Sequence, residues 1–201
     1  MNLWLWIPAS YLLGAVPTSY LAARLFAGIN LGEHGSKNLG ATNVYRVLGW
    51  KYAIPVGLFD VGKGAIPTAV FAPLAGPDPW IPVLLGVSAV MGHVYSIFVK
   101  FRGGKGVATA AGAVLALAPA ALGISAVVWL VILAATGYVS LASMLGAIAF
   151  PMAVRFTNPG DHYVFGAGVA LAAFIVVTHR SNIQRLAAGQ ENRFGNRGRA
   201  G

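Results

Sequence analysis

The sequence predicts an all-α integral membrane protein of seven transmembrane helices, and three observations carry that prediction. Hydrophobic residues make up 57% of the 201 and charged residues only 9%, with a mean hydropathy of +0.71, whereas soluble domains carry roughly a quarter charged residues. The apolar residues fall in blocks near the ~20 residues that cross a hydrocarbon core, not in the shorter periodic stripes of a soluble domain. The fourteen Lys and Arg, set against five Asp and Glu for a formal charge of +9, lie singly or in small groups at the block ends. There they orient a chain and meet anionic headgroups or small anions, so nucleic acid is not expected as a partner.

The blocks run at about 4–28, 52–74, 80–99, 107–136, 138–155 and 161–178. The first lacks the basic flank of a cleaved signal and reads as a retained helix. The fourth is long for one span, and Pro119 in "ALAPAALG" divides it into two helices joined by a tight turn. Parity supports this division. With seven helices Arg24, Lys37, Arg46, Lys51, Lys63, Lys100, Arg102, Lys105, Arg180, Arg185, Arg193, Arg197 and Arg199 share one side and only Arg155 faces the other. The positive-inside rule then puts the N-terminus outside and the C-terminus in the cytoplasm. Residues 1–201 read as a single membrane domain with a basic tail from about residue 192. Glycine and alanine recur along the helices, as in "ATAAGAVLALA" and "GAGVALAA", which permits close packing in lipid.

Three polar segments interrupt the apolar blocks, all on the predicted cytoplasmic side. In "GSKNLGATNVYRVLG", residues 35–49, Gly35 and Gly40 let backbone N–H groups converge, Ser36, Asn38, Thr42 and Asn43 can donate to phosphate oxygens, and Arg46 can do so bidentately. In "GHVYSIFVKFRGGKGVAT", residues 92–109, Lys105 stands among Gly103, Gly104 and Gly106 just before an apolar helix, where free N–H groups and the helix dipole would point at an anion. Lys100 and Arg102 read as interfacial anchors, and His93 as a helix-packing histidine. In "THRSNIQRLAAGQE", residues 178–191, His179 and Asn182 are i, i+3 and can face one pocket, while Arg180 and Arg185 read as interfacial.

Other chemistries are checked by their missing parts. Lys105 is not followed by the Ser or Thr of a Walker loop, and "GLFDVGKG" at 57–64 lacks it too. In that stretch Asp60 and Lys63, at i, i+3, read either as a structural pair or as part of a site. No His precedes an Asp by five positions, and the chain has no G-x-S-x-G elbow, no H-E-x-x-H site and no cysteine. Neither a metal nor a cofactor is expected.

The three segments, in this order, resemble the motifs of the bacterial acyl-phosphate:glycerol-3-phosphate acyltransferases, the PlsY family, over the chain from its first span to about Glu191. The resemblance implies seven helices and transfer of a fatty acyl group from acyl phosphate to the 1-hydroxyl of glycerol 3-phosphate, giving lysophosphatidic acid and phosphate. It assigns the glycerol 3-phosphate site to Ser36, Arg46, Lys105, His179 and Asn182, with Ser143 of "SLASM" as a further candidate. The backbone around Thr42, Asn43, Gly103 and Gly104 would cradle the acyl phosphate. Lys37, Leu39 and Thr178 depart from the family's usual residues, which bears on loop geometry and affinity rather than on the reaction. The competing expectation is an inner-membrane organophosphate transporter, against which the absence of an internal repeat speaks.

Overall fold

The computed structural model describes residues 3–195, so the end of the basic tail, with Arg197 and Arg199, lies outside them. All regular structure among the described residues is helical. The chain divides into two compact units, Met1–Leu117 and Ala118–Gly201, at the step before Pro119 where the sequence predicts a break.

In the first unit the block at 4–28 is two helices, α1 (Leu3–Ala15) and α2 (Thr18–Ala27), not the single helix expected. Pro17 lacks an N–H and its ring disfavours helical geometry at Val16, so the winding stops there. The carbonyl this releases on Val16 accepts from Lys63 Nζ at 3.0 Å. The chain then forms α3 (Ala41–Leu48) and α4 (Trp50–Ile66), which passes through a wide π turn at Pro67–Phe71 into α5 (Ala72–Ala75). Next come α6 (Ile81–Val94) and α7 (Val107–Leu117).

The apolar span Ile81–Val99 matches the predicted block, but its α-helical winding ends at Val94. Ser96 leaves the helix to donate to the Ala15 carbonyl at 2.5 Å, tying the end of α6 to the end of α1.

Glycines set the helix spacing in this unit. A Cβ on Gly14 would strike the Ala89 carbonyl and one on Gly92 the Tyr11 carbonyl, so α1 and α6 touch backbone to backbone. Gly64 meets Thr109 and Gly112 meets Val61 in the same way, joining α4 to α7. Dispersion between close backbones, rather than the hydrophobic effect, is what holds helices together in lipid.

The second unit begins with α8 (Pro119–Thr136), turns at Gly137 with φ +74°, and returns as α9 (Val139–Thr157). Then α10 (His162–Thr178), capped by Asp161 accepting from the Val164 N–H at 2.9 Å, bends by 58° into α11 (Arg180–Ala187). Four segments are long and apolar enough to cross a membrane, Trp50–Ala75, Ile81–Val99, Pro119–Thr136 and Val139–Thr157, with the bent pair α10–α11 as a fifth. Helix α8 is apolar all round and mostly exposed, as a lipid-facing helix must be. The chain is a multi-pass membrane protein.

Candidate active site

The first two polar segments come together in the first unit. Residues 35–40 are an irregular loop, and the helix α3 starts inside the motif with Gly40 as its extended N-cap. Asn43 organises that loop. Its Oδ1 accepts from the Ser36 N–H at 2.8 Å, and its Nδ2 donates to the carbonyls of His34 at 3.0 Å and Leu31 at 3.4 Å. The side chain of Asn43 is 1% exposed, and its own N–H donates to the Gly40 carbonyl at 2.9 Å. Asn43 therefore builds the loop from inside rather than offering donors outward, unlike the cradle role expected of it.

Ser36 is half-buried beside this anchor, and Arg46 is half-buried on the last turn of α3. Asn38 and Thr42 are half-buried as well. Gly35 has φ +59°, and a Cβ there would overlap Asn43 Oδ1, so both conformation and space require glycine. Lys37 also has a positive φ, +59°.

The second segment turns back on α6. Lys100 and Phe101 are both left-handed, at φ +55° and +61°, which reverses the chain so that the Gly103 N–H donates to the Val94 carbonyl at 3.0 Å and the Gly104 N–H to the His93 carbonyl at 3.1 Å. These two donors are committed within the protein, which differs from the expectation that they cradle a phosphate. The glycines are needed for space instead. A Cβ on Gly103 would meet the His93 carbonyl, and one on Gly104 would meet the His93 ring and, at 2.6 Å, the Leu39 carbonyl. That last approach is where the first motif touches the second. Lys105 is half-buried just beyond, and Gly106, at φ +80°, starts α7 with Val90 and Val94 against it. Lys100 and Arg102 are exposed.

The third segment belongs to the second unit, and there His179 sits at the bend between α10 and α11. Its ring is 3% exposed, and Nδ1 lies 2.8 Å from the Ile175 carbonyl. A carbonyl only accepts, so Nδ1 carries the proton and the lone pair of a neutral ring is on Nε2. Asn182, 6% exposed, donates from Nδ2 to Glu191 Oε1 at 2.7 Å.

Glu191 carries no role in the sequence reading, yet it organises the third segment. It also accepts from Ser140 Oγ at 3.0 Å and from Arg185 Nε at 2.8 Å. Arg185 is thus an ion-pair partner rather than a free interfacial anchor, while Arg180 is exposed as expected. No helical spacing links Glu191 to these partners, since the chain leaves α11 before it returns. Ser143 is buried one turn beyond Ser140 on α9, and its Oγ accepts from Trp129 Nε1 at 3.3 Å. Among the described residues no cluster of His, Asp and Glu has the makings of a metal site.

The sequence pattern of the glycerol-3-phosphate acyltransferase family matches residues 4–189. The chain is 46% identical over 191 residues to the glycerol-3-phosphate acyltransferase of Desulforudis audaxviator (strain MP104C), covering 94% of this chain and 93% of that one. It is 42% identical over 185 residues to that of Geobacter sulfurreducens, covering 92% and 94%. It superposes with a TM-score of 0.89, at 39% identity and over 96% of each chain, on the glycerol 3-phosphate form of PlsY (YgiH), an integral membrane glycerol 3-phosphate acyltransferase. For the lysophosphatidic acid form of PlsY the TM-score is 0.86 at 38% identity, covering 96% of this chain and 95% of that one. With a family pattern spanning nearly its whole length and relatives this similar from end to end, the chain belongs to the glycerol-3-phosphate acyltransferase family.

Proposed function

We propose that the protein transfers a fatty acyl group from acyl phosphate to the 1-hydroxyl of glycerol 3-phosphate, at the cytoplasmic face of a bacterial inner membrane. The observation that carries this reading is the meeting of two glycine-rich, cation-bearing segments at Leu39 and Gly104, in a chain whose relatives are glycerol-3-phosphate acyltransferases. Each substrate brings a phosphate of up to about two negative charges. At an effective dielectric near 20, each pair of unit charges 4 Å apart repels by roughly 4 kcal/mol. Arg46 and Lys105 offset that repulsion, with Ser36 and Thr42 as hydroxyl donors. His179, Asn182 and Ser143 orient the acceptor.

The transfer is direct. The acceptor hydroxyl oxygen attacks the acyl carbonyl carbon, the bond from that carbon to the phosphate oxygen breaks, and its electron pair leaves with the phosphate. The hydroxyl proton goes to a phosphate oxygen of the donor. Acyl phosphate is a mixed anhydride with a good leaving group, so aligning the reactants supplies much of the acceleration. His179 positions the acceptor in this scheme. The Nε2 lone pair also permits it to act as general base, in which case His179→Gln would abolish a limb of the pH–rate profile together with most activity.

The test is a reconstituted assay of lysophosphatidic acid and phosphate release. Acyl phosphate should support turnover and acyl-CoA should not, and comparable rates with acyl-CoA would overturn the donor assignment. Acid-quenching enzyme mixed with acyl-labelled donor alone should leave no labelled protein. An acyl adduct formed at a competent rate would require two steps. The transporter reading is not favoured, since the relatives are acyltransferases.

A further inference from the structure

Beneath the second motif lies a polar cluster to which acyl transfer assigns no part. Asp60 and Lys63 of α4 are 1% and 2% exposed, and they pair at 2.8 Å. Thr18 Oγ1 donates to Asp60 Oδ1 at 2.6 Å, and Lys63 donates to the Val16 carbonyl, so the pair clamps the break between α1 and α2. His93 of α6 completes the cluster. It is 7% exposed, its Nδ1 lies 3.8 Å from Asp60 Oδ1, and that nitrogen has no hydrogen-bond partner among the described residues. The other edge of the ring rests on Gly104, where a Cβ would overlap Nε2. A small cleft lined by Thr18, Lys63, His93, Ser96, Gly103 and Gly104 runs between them.

Burying an ion pair rarely stabilises a protein over apolar residues of the same size, and in a membrane span such residues mark a site more often than a scaffold. We propose that His93 is a positioning residue for the loop that carries Lys105, and that the Asp60–Lys63 pair is the polar wall its ring faces on the side away from that loop. The imidazole stands between Asp60 and Gly104, and the His93 carbonyl receives the Gly104 N–H. A ring packed this closely sets how near Gly104, the residue next to Lys105, can approach α6. This rests on the reading that Lys105 meets a substrate phosphate.

The experiment compares the full-length protein with His93→Phe, His93→Gln and the paired Asp60→Leu/Lys63→Met, which removes both charges and leaves neither buried alone. Two readouts are needed: KM and kcat for both substrates, and the melting temperature with and without inorganic phosphate. His93→Phe should raise KM for a phosphate-bearing substrate about tenfold while kcat changes less than about threefold. It should also abolish the rise in melting temperature that phosphate produces, with the unliganded melting temperature nearly unchanged. His93→Gln, which keeps a polar group of similar reach, should recover most of both, and the paired variant should repeat the KM defect. Unchanged KM and phosphate shift in His93→Phe or in the paired variant would overturn the proposal. So would joint loss of kcat and melting temperature in His93→Phe that His93→Gln does not relieve. If the parent protein responds to phosphate in a His93-dependent way yet makes no lysophosphatidic acid, the positioning role stands and the reaction assignment falls.

Discussion

Arg46 on α3 and Lys105 beside Gly104 are half-buried, whereas Lys100 and Arg102 stand exposed on a turn. That contrast predicts unequal roles for cations that composition alone cannot rank. Ser36→Ala, Arg46→Ala and Lys105→Ala should each cost about 1.5–3 kcal/mol of binding or transition-state stabilisation, roughly ten- to a hundredfold in kcat/KM, as expected for a lost charge-assisted hydrogen bond. Lys100→Ala and Arg102→Ala should change it by less than about threefold, and equal small effects at all five positions would reduce every one of these residues to an anchor. Lys37 adds a stability prediction. It holds φ +59°, which costs a residue bearing a Cβ roughly 1–2 kcal/mol relative to glycine. Lys37→Gly should raise the melting temperature in detergent without changing KM. The candidate cations were legible in the sequence because residue type and neighbouring glycines announce them. Glu191 was not, because its partners Ser140, Asn182 and Arg185 are set by the returning chain.

Helices α1 and α6, and likewise α4 and α7, meet through glycines that face backbone. In lipid such contacts cannot relax by letting a side chain swing aside, since the obstacle is a carbonyl of the partner helix. Gly112→Leu should therefore separate α4 from α7, costing well over the 1–3 kcal/mol typical of overpacking. Size-exclusion chromatography and thermal melts of the variant should report a less stable or polydisperse protein, while Gly123→Leu, at a glycine with open space around it, should behave as the parent. The sequence announced that small residues recur, but not which of them touch. Block positions were legible from hydropathy, and the break before Pro119 from proline chemistry. The break at Val16–Pro17 was equally open to the same chemistry, yet an unbroken apolar run masked it. The early end of α6 at Val94 had no local signal at all, because it follows from Ser96 bonding to Ala15, eighty-one positions away.

Across the whole molecule, seven crossings with the N-terminus outside remain our reading of the charge distribution. Helix α7 tests it hardest. Its 11 residues rise roughly 16 Å, about half a hydrocarbon core. Since the chain has no cysteine, single cysteines report topology cleanly. Lys37→Cys and Arg197→Cys should label from the same, cytoplasmic, side, and labelling from opposite sides would remove one crossing. The wide π turn at Pro67–Phe71, in which Thr68 Oγ1 donates to the carbonyls of Ala65 at 3.0 Å and Gly64 at 3.3 Å, has a consequence for how this chain tolerates changes of length. Such a turn is one residue inserted into an otherwise regular helix, so the flanking stretches keep the faces they would have without it. Deleting exposed Val70 should return the span to ordinary winding and leave a folded enzyme. The same deletion at Ile54 would rotate one side of the span about 100° relative to the other and tear Asp60 and Lys63 from Thr18 and Val16. The span thus has one place where its length is negotiable.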